Sequence, residues 1–124
     1  MATSTQVIEQ AYAAFGRGDI PALLALLADD VEWTSPRTLP HGGEFHGPAE
    51  VGKFFEGLGA AWDPVSLEIE QVGALGDLVV GVVRADGTRR GGKPAGYGAV
   101  HVFRVGNGKI ASFHEYVDID APID

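Results

Sequence analysis

From Ala95 to Ile119 the chain reads AGYGAVHVFRVGNGKIASFHEYVDI, and the alternation in this stretch decides the fold. Successive side chains of a strand point to opposite faces. Tyr97, Ala99, His101 and Phe103 therefore share one face of a strand near 95–105. Gly106-Asn107-Gly108 then supplies turn chemistry, because Gly and Asn tolerate the positive φ of a tight hairpin. A second strand follows near 109–119. The hairpin's register determines which side chains join His101. A two-residue type I′ turn at Asn107-Gly108 sets His101 on the face of His114, Tyr116 and Asp118. A three-residue loop with a bulge sets it instead with Phe113, Glu115 and Val117. Glu115 is then diagonal to His101, about 7–8 Å away between backbones. A slip of one residue exchanges the two sets.

Working upstream, the same period of two covers strands near 65–73 and 77–89, separated by Gly76-Asp77. Arg90-Gly91-Gly92-Lys93-Pro94 leads into the stretch quoted above. Short connections make these four strands an antiparallel meander. Before Val65 the period is helical. Thr3 and Gln6 fit a capping box, and Val7, Ile8, Ala11, Tyr12 and Phe15 draw one apolar face on a helix ending near Gly16 to Gly18. Asp19 starts a second helix with Pro21 in its first turn. Leu23, Leu24, Leu26 and Leu27 form its buried side, and Asp29-Asp30 close it. A short strand from Val31 to Ser35 precedes an irregular loop from Pro36 to Gly47. Pro48 opens a third helix with Val51, Phe54, Phe55 and Leu58 inward, and Trp62 follows it. The expected architecture is one α+β domain over residues 1–124, with three N-terminal helices packed on a strongly curved, mostly antiparallel sheet around a cone-shaped cavity.

The 124 residues carry 17 Asp+Glu against 9 Lys+Arg, a formal net charge of −8, and no Cys. That balance speaks against a nucleic-acid partner, whose phosphates are neutralised by Lys and Arg. Without Cys there is no disulfide framework or thiol metal site, which fits a reducing, cytoplasmic compartment. No apolar run approaches the roughly 20 residues of a membrane span, and Met1 to Gln6 lacks the blocks of a signal peptide, so no membrane partner is expected. There is no His-x-x-x-His pair, no Asp-rich loop and no Gly-rich phosphate cradle, so neither metal nor cofactor is expected. Val79, Val80, Val82 and Val83, like Val100, Val102, Phe103 and Val105, are apolar on both faces of their strands. Helices can cover one face. A homodimer through the convex sheet face is expected to cover the other.

Several segments carry a family likeness: Phe15-Gly16-Arg17-Gly18-Asp19, Leu27 through Trp33, His46-Gly47-Pro48, Phe103 through Ile110, and His114-Glu115-Tyr116-Val117-Asp118. In this succession, over almost the whole chain, they resemble the nuclear-transport-factor-2-like superfamily. The SnoaL-like branch, related to polyketide cyclases and ketosteroid isomerases, looks closest. The resemblance implies a cystatin-like roll with a small-molecule pocket. It implies no single chemistry, because isomerases, cyclases, limonene-type epoxide hydrolases, dehydratases and non-enzymatic binders share that scaffold. Where ketosteroid isomerases carry a carboxylate base, a Tyr and a protonated Asp, this chain has Ser35, Ala11 and His101. Tyr12 is one residue off, about 100° around a helix, and takes no role from the comparison. Against the epoxide hydrolases, Glu115 falls at the second acid, while Trp33 and Ser35 replace the water-holding Tyr and Asn. Arg84 and Asp86 keep an Arg-x-Asp spacing without aligning. The match makes Glu115 interior, which selects the bulged hairpin.

The candidate site is then an apolar cone lined by Trp33, Ser35, Phe55, Trp62, Tyr97, Phe103, Phe113 and Val117, with His101 and Glu115 as catalytic groups. A buried carboxylate beside an imidazole holds it protonated or selects its tautomer, which suits general acid/base work near neutral pH. The same pair can equally be a satisfied polar contact beneath a helix. Arg84, if inward, pairs with Glu115 or meets an anionic ligand; as a solvated residue it needs no role. His41 and His46 lie in or beside the Pro36–Gly47 loop; they either cap the mouth of the cone or, as the stronger expectation, lie exposed. Two classes of function stay open beside a pure interaction module, which would need the cone filled by its own side chains. One is a cofactor-free isomerase, cyclase or hydrolase for a small hydrophobic carbonyl or polyketide-like compound, with epoxide hydrolase-like activity as a variant. The other is a non-catalytic binder of an apolar metabolite.

Overall fold

The computed structural model describes residues 3–119. Helix α1 (Ser4–Gly16) begins with the expected capping box, in which the Thr3 hydroxyl accepts the Gln6 N–H and the Gln6 side chain accepts the Thr3 N–H. Helix α2 (Ile20–Leu24) starts where Asp19 Oδ1 accepts the Ala22 N–H at 3.1 Å. It stops well short of Asp29-Asp30, and the chain enters strand β1 (Leu27–Ser35) almost at once. The cause is pairing: Leu27 is already opposite Ile110 in a neighbouring strand, and Leu26 O accepts the Ile110 N–H at 2.8 Å. Ladder bonds to that strand outweigh the helical spacing of Leu26 and Leu27.

The segment from Pro36 to Gly47 is less irregular than its Pro and Gly content implies. It folds back through a turn into strand β2 (Gly43–His46), antiparallel to β1. Gly42 permits the turn, because a Cβ there would run into the Pro36 carbonyl. Helix α3 (Gly47–Ala61) follows, then β3 (Trp62–Leu75), β4 (Leu78–Arg89), β5 (Pro94–Gly106) and β6 (Lys109–Val117). The strands form one sheet in the order β2-β1-β6-β5-β4-β3, parallel between β1 and β6 and antiparallel elsewhere. The α+β roll read from the sequence is the fold observed, with the sheet mixed and not closed.

The β5–β6 hairpin contains both devices that the sequence presents as alternatives. Asn107 and Gly108, at φ 55° and 75°, make a two-residue turn between paired Gly106 and Lys109. A register shift beyond Val105 and Ile110 then leaves Ala111 as an extra residue on β6, so Arg104 faces Ser112. The turn alone would have put Glu115 on the wrong face. With the bulge, Glu115 stands directly opposite His101, not diagonal to it, and Phe113 stands opposite Phe103.

The helices cover one sheet face. Val7, Ile8, Ala11 and Ala14 of α1 and Val51 and Phe54 of α3 pack with Val31, Trp33, Phe103, Ile110 and Phe113. A second cluster joins Leu39, Leu58 and Trp62 to Val83, Ala85, Tyr97 and Ala99. On the other face Val80, Val82, Val100 and Val102 stay half-buried and Tyr116 is exposed. Among the described residues no helix is long and apolar enough to cross a membrane.

Candidate active site

Four elements each deliver one polar side chain to a common point under α1 and α3. Thr34 of β1 lies opposite His114 of β6, which brings the next pair, Ser35 and Glu115, side by side on the inner face. Ser35 Oγ donates to Glu115 Oε1 at 2.6 Å. The other carboxylate oxygen, Oε2, is 2.9 Å from His101 Nε2. The second ring nitrogen, Nδ1, is 2.8 Å from the Tyr12 hydroxyl. Ser35, His101 and Glu115 are 2%, 4% and 7% exposed, so water contributes little to satisfying them. Gly81, opposite His101 on β4, makes room for the fourth member, since a Cβ there would collide with the Tyr12 hydroxyl.

Charge fixes the direction of this chain. Burial pushes the Glu115 carboxyl up, but the hydrogen bond and charge of His101, followed by the Ser35 hydrogen bond, outweigh it and hold the group below its ordinary range. An ionised carboxylate only accepts, so Nε2 of His101 carries hydrogen toward it. Burial, and then the charge of Glu115, push the Tyr12 phenol up, so it stays protonated; it donates to Nδ1 when His101 is neutral and accepts from it when His101 is charged. With His101 neutral the order is Tyr12 to His101 to Glu115, with Ser35 bracing the far oxygen.

His101 and Glu115 face a chamber of about 70 Å³ whose remaining walls are mostly aromatic or aliphatic. Trp33, Phe55, Tyr97, Phe103 and Phe113 line it, as the sequence implies. Tyr12, Phe15, Phe55, Leu58, Val65 and Leu67 also border an outer groove of about 420 Å³, so chamber and groove meet at these side chains.

Four expected lining residues lie elsewhere. Ser35 sits behind Glu115 as its brace. Trp62 belongs to the second core cluster and donates from Nε1 to His41 Nδ1 at 3.2 Å. Val117 is at the end of β6, packed against that second cluster and bordering shallow outer grooves. The inward reading of Arg84 is corrected: the odd residues of β4 face the helices, which turns Arg84 outward to Asp86 at 3.6 Å with its side chain 45% exposed.

Two members of the site differ from the stronger expectation of the sequence. Tyr12 was set aside by comparison with the isomerases, yet Ala11 and Tyr12 both reach inward from α1, and Tyr12 follows Ile8 by four residues on the same face. His41, expected to be exposed, is 6% exposed, lines the chamber and lies edge-on to Phe54 with ring centroids 5.4 Å apart. Burial lowers its pKa from 6.5 to about 4, Arg89 assisting and the charge of Glu115 opposing. No short-range signal in a Pro- and Gly-rich segment announces a buried imidazole. His46 is exposed, and His114 stacks on Tyr116 on the outer face at 4.6 Å. Among the described residues no three His, Asp or Glu side chains gather as a metal site would need.

The open α+β roll, three helices on one mixed six-stranded sheet, is that of the nuclear-transport-factor-2-like class. More narrowly, the chain belongs to the SnoaL-like domain family, whose model matches residues 8–113. An NTF2-like protein from Burkholderia thailandensis is similar at 36% identity with a TM-score of 0.89, over 95% of this chain and 92% of that one. An NTF2-like protein of unknown function from Burkholderia pseudomallei is similar at 31% and 0.86, with the same coverage of 95% and 92%. TerC, co-crystallised with polyporic acid, is similar at 26% and 0.81, over 90% of this chain and 88% of that one. No curated protein matches the chain in sequence.

Proposed function

We propose that this protein takes a small, mostly apolar carbonyl or polyketide-like compound into the chamber and moves a proton on it without a cofactor, as a cytoplasmic isomerase, cyclase or hydrolase. The observation that carries this reading is the buried succession Tyr12, His101, Glu115 and Ser35 within otherwise greasy walls. The small ligand seen with TerC supports a ligand here. Binding sites for such compounds usually measure about 300 Å³ or more. The ligand therefore spans the inner chamber and the outer groove.

In the proposed step a hydrogen next to a carbonyl leaves its carbon as the Tyr12 oxygen takes it and passes its own proton to His101 Nδ1. The C–H electron pair becomes the enolate. Imidazolium forms against the Glu115 carboxylate, which stabilises it in a site of low dielectric. Returning the proton at another carbon isomerises the compound, and attack by the enolate carbon on a second carbonyl closes a ring. Epoxide hydrolase-like chemistry is less well supported, because Arg84 and Asp86 are exposed and pair with each other away from Glu115.

Acetophenone in D₂O tests the step, since its methyl protons exchange through an enolate. The protein is expected to accelerate deuterium incorporation, read by NMR, and His101→Gln to slow it at least about 100-fold. If the native protein binds acetophenone but exchanges it no faster than the variant, the catalytic reading fails and a binding protein remains.

We also propose that a second copy covers the outer sheet face. Val80 opposes Val102 and Val82 opposes Val100 there, all half-exposed, beside Tyr116 at 55% exposure. Sedimentation at micromolar concentration should give twice the 13.0 kDa chain mass, and Val82→Asp should halve it. A native monomer would refute the dimer.

A further inference from the structure

We infer that His41 is the fixed hydrogen-bond donor that seats the ligand's oxygen, and that this oxygen belongs to a neutral carbonyl group. The inference rests on the chamber taking a small carbonyl compound, and it assigns the polar anchor of that same site. Indole Nε1 can only donate, so the 3.2 Å contact makes His41 Nδ1 an acceptor. A neutral imidazole that accepts at Nδ1 carries its hydrogen on Nε2. Its depressed pKa, about 4, agrees with the neutral form. Among the described residues Nε2–H has no protein partner, although the ring is 6% exposed and lines the chamber. Nε2 is not among the fully buried orphaned atoms, so it keeps a little accessible surface, and an N–H with room beside it and no acceptor is open to a ligand's oxygen.

One other polar group on the chamber wall points the same way. The Tyr97 phenol is pushed up by burial and by the charge of Glu115, so it too stays protonated. Both Glu115 oxygens are already engaged by Ser35 and His101. The chamber thus offers donors and asks for an acceptor. The ionised Glu115 beside them disfavours a carboxylate ligand, which leaves a ketone, quinone or ester oxygen. Phe54, edge-on to the imidazole, and Trp62, bonded to it, hold the ring without help from the ligand. A donor oriented in advance stabilises charge growing on an enolate oxygen with little reorganisation. Oxygen is assigned to His41 and the migrating proton to His101.

The test uses acetophenone and ethylbenzene, which differ chiefly in the carbonyl oxygen, with dissociation constants from NMR titration. His41→Phe is expected to lower the ratio of acetophenone to ethylbenzene affinity about tenfold, and His41→Gln, which returns an N–H near the same place, to recover part of it. The infrared carbonyl stretch of bound ¹³C-acetophenone should lie below its value in hexane for the native protein and move up toward it in His41→Phe. A ratio changed less than about twofold, with the stretch unmoved, overturns the inference. Should His41→Phe not fold, the native protein decides alone: a hexane-like stretch overturns the assignment and a lowered one supports it. Loss of α-exchange with the His41-dependent ratio intact would remove the proposed proton transfer and leave the carbonyl seat standing.

Discussion

Replacing His101 with Leu is expected to lower stability by about 3 kcal/mol at pH 7, measured by urea unfolding, because it leaves the Glu115 carboxylate buried with Ser35 as its one remaining partner. Glu115 is 7% exposed and cannot turn to water without opening β6. The variant should respond by protonating Glu115, and its unfolding midpoint should then improve as the pH is lowered toward 5. Removing the carboxylate as well, in His101→Leu with Glu115→Leu, is expected to recover most of the loss, since apolar pairs of similar volume often replace a buried ion pair at no net cost. A single variant that loses less than about 1 kcal/mol would mean that His101 does not carry the charge of Glu115. If the double variant is as stable as the native chain, folding does not account for the pair, and a chemical role does.

How much of this site is legible in the sequence depends on how local its causes are. Alternation along β5 assigned His101 to the face of Tyr97 and Phe103, and the family likeness drew Glu115 inward. Both assignments rest on short-range regularities that survive folding. The hairpin shows where such reasoning weakens: Asn107-Gly108 makes the tight turn its residues favour, and one additional residue at Ala111 reverses the consequence for every side chain beyond it. Leu24 to Leu27 have helical spacing, but partners 80 residues away in sequence claim Leu26 and Leu27 for a strand edge. Gly42 and Gly43 disguise β2 as loop: Gly42 admits a close turn against Pro36, and Gly43 opens the strand at a positive φ of 147°. Tyr12 and His41 depart from the stronger expectation for a related reason. What draws each into the candidate site is a contact with a distant residue, His101 for one and Trp62 for the other, and no spacing within a helix or a loop encodes that contact.

The acid limb of stability is expected to be dominated by His41. Its pKa falls from 6.5 to about 4 on folding, so between those values the unfolded chain binds more proton than the folded one, and stability declines as the pH drops through that window. At about 1.4 kcal/mol per unit, the native protein should lose about 3 kcal/mol more than His41→Phe between pH 7 and pH 4. Below that window the two should run parallel with respect to this group. Glu115, held below its ordinary range in the fold, then acts in both: the stability it contributes above the unfolded carboxylate pKa is lost as the pH falls through its lowered value. Urea unfolding of both proteins at pH 7, 5.5, 4.5 and 4 measures the difference directly. Curves that stay parallel from pH 7 to pH 4 would mean that folding leaves the proton affinity of His41 unchanged. A charged imidazole has hydrogen on both nitrogens and cannot accept from Trp62 Nε1, so the same result would show that the Trp62–His41 bond does not hold the ring neutral and would undercut the fixed donor built on it.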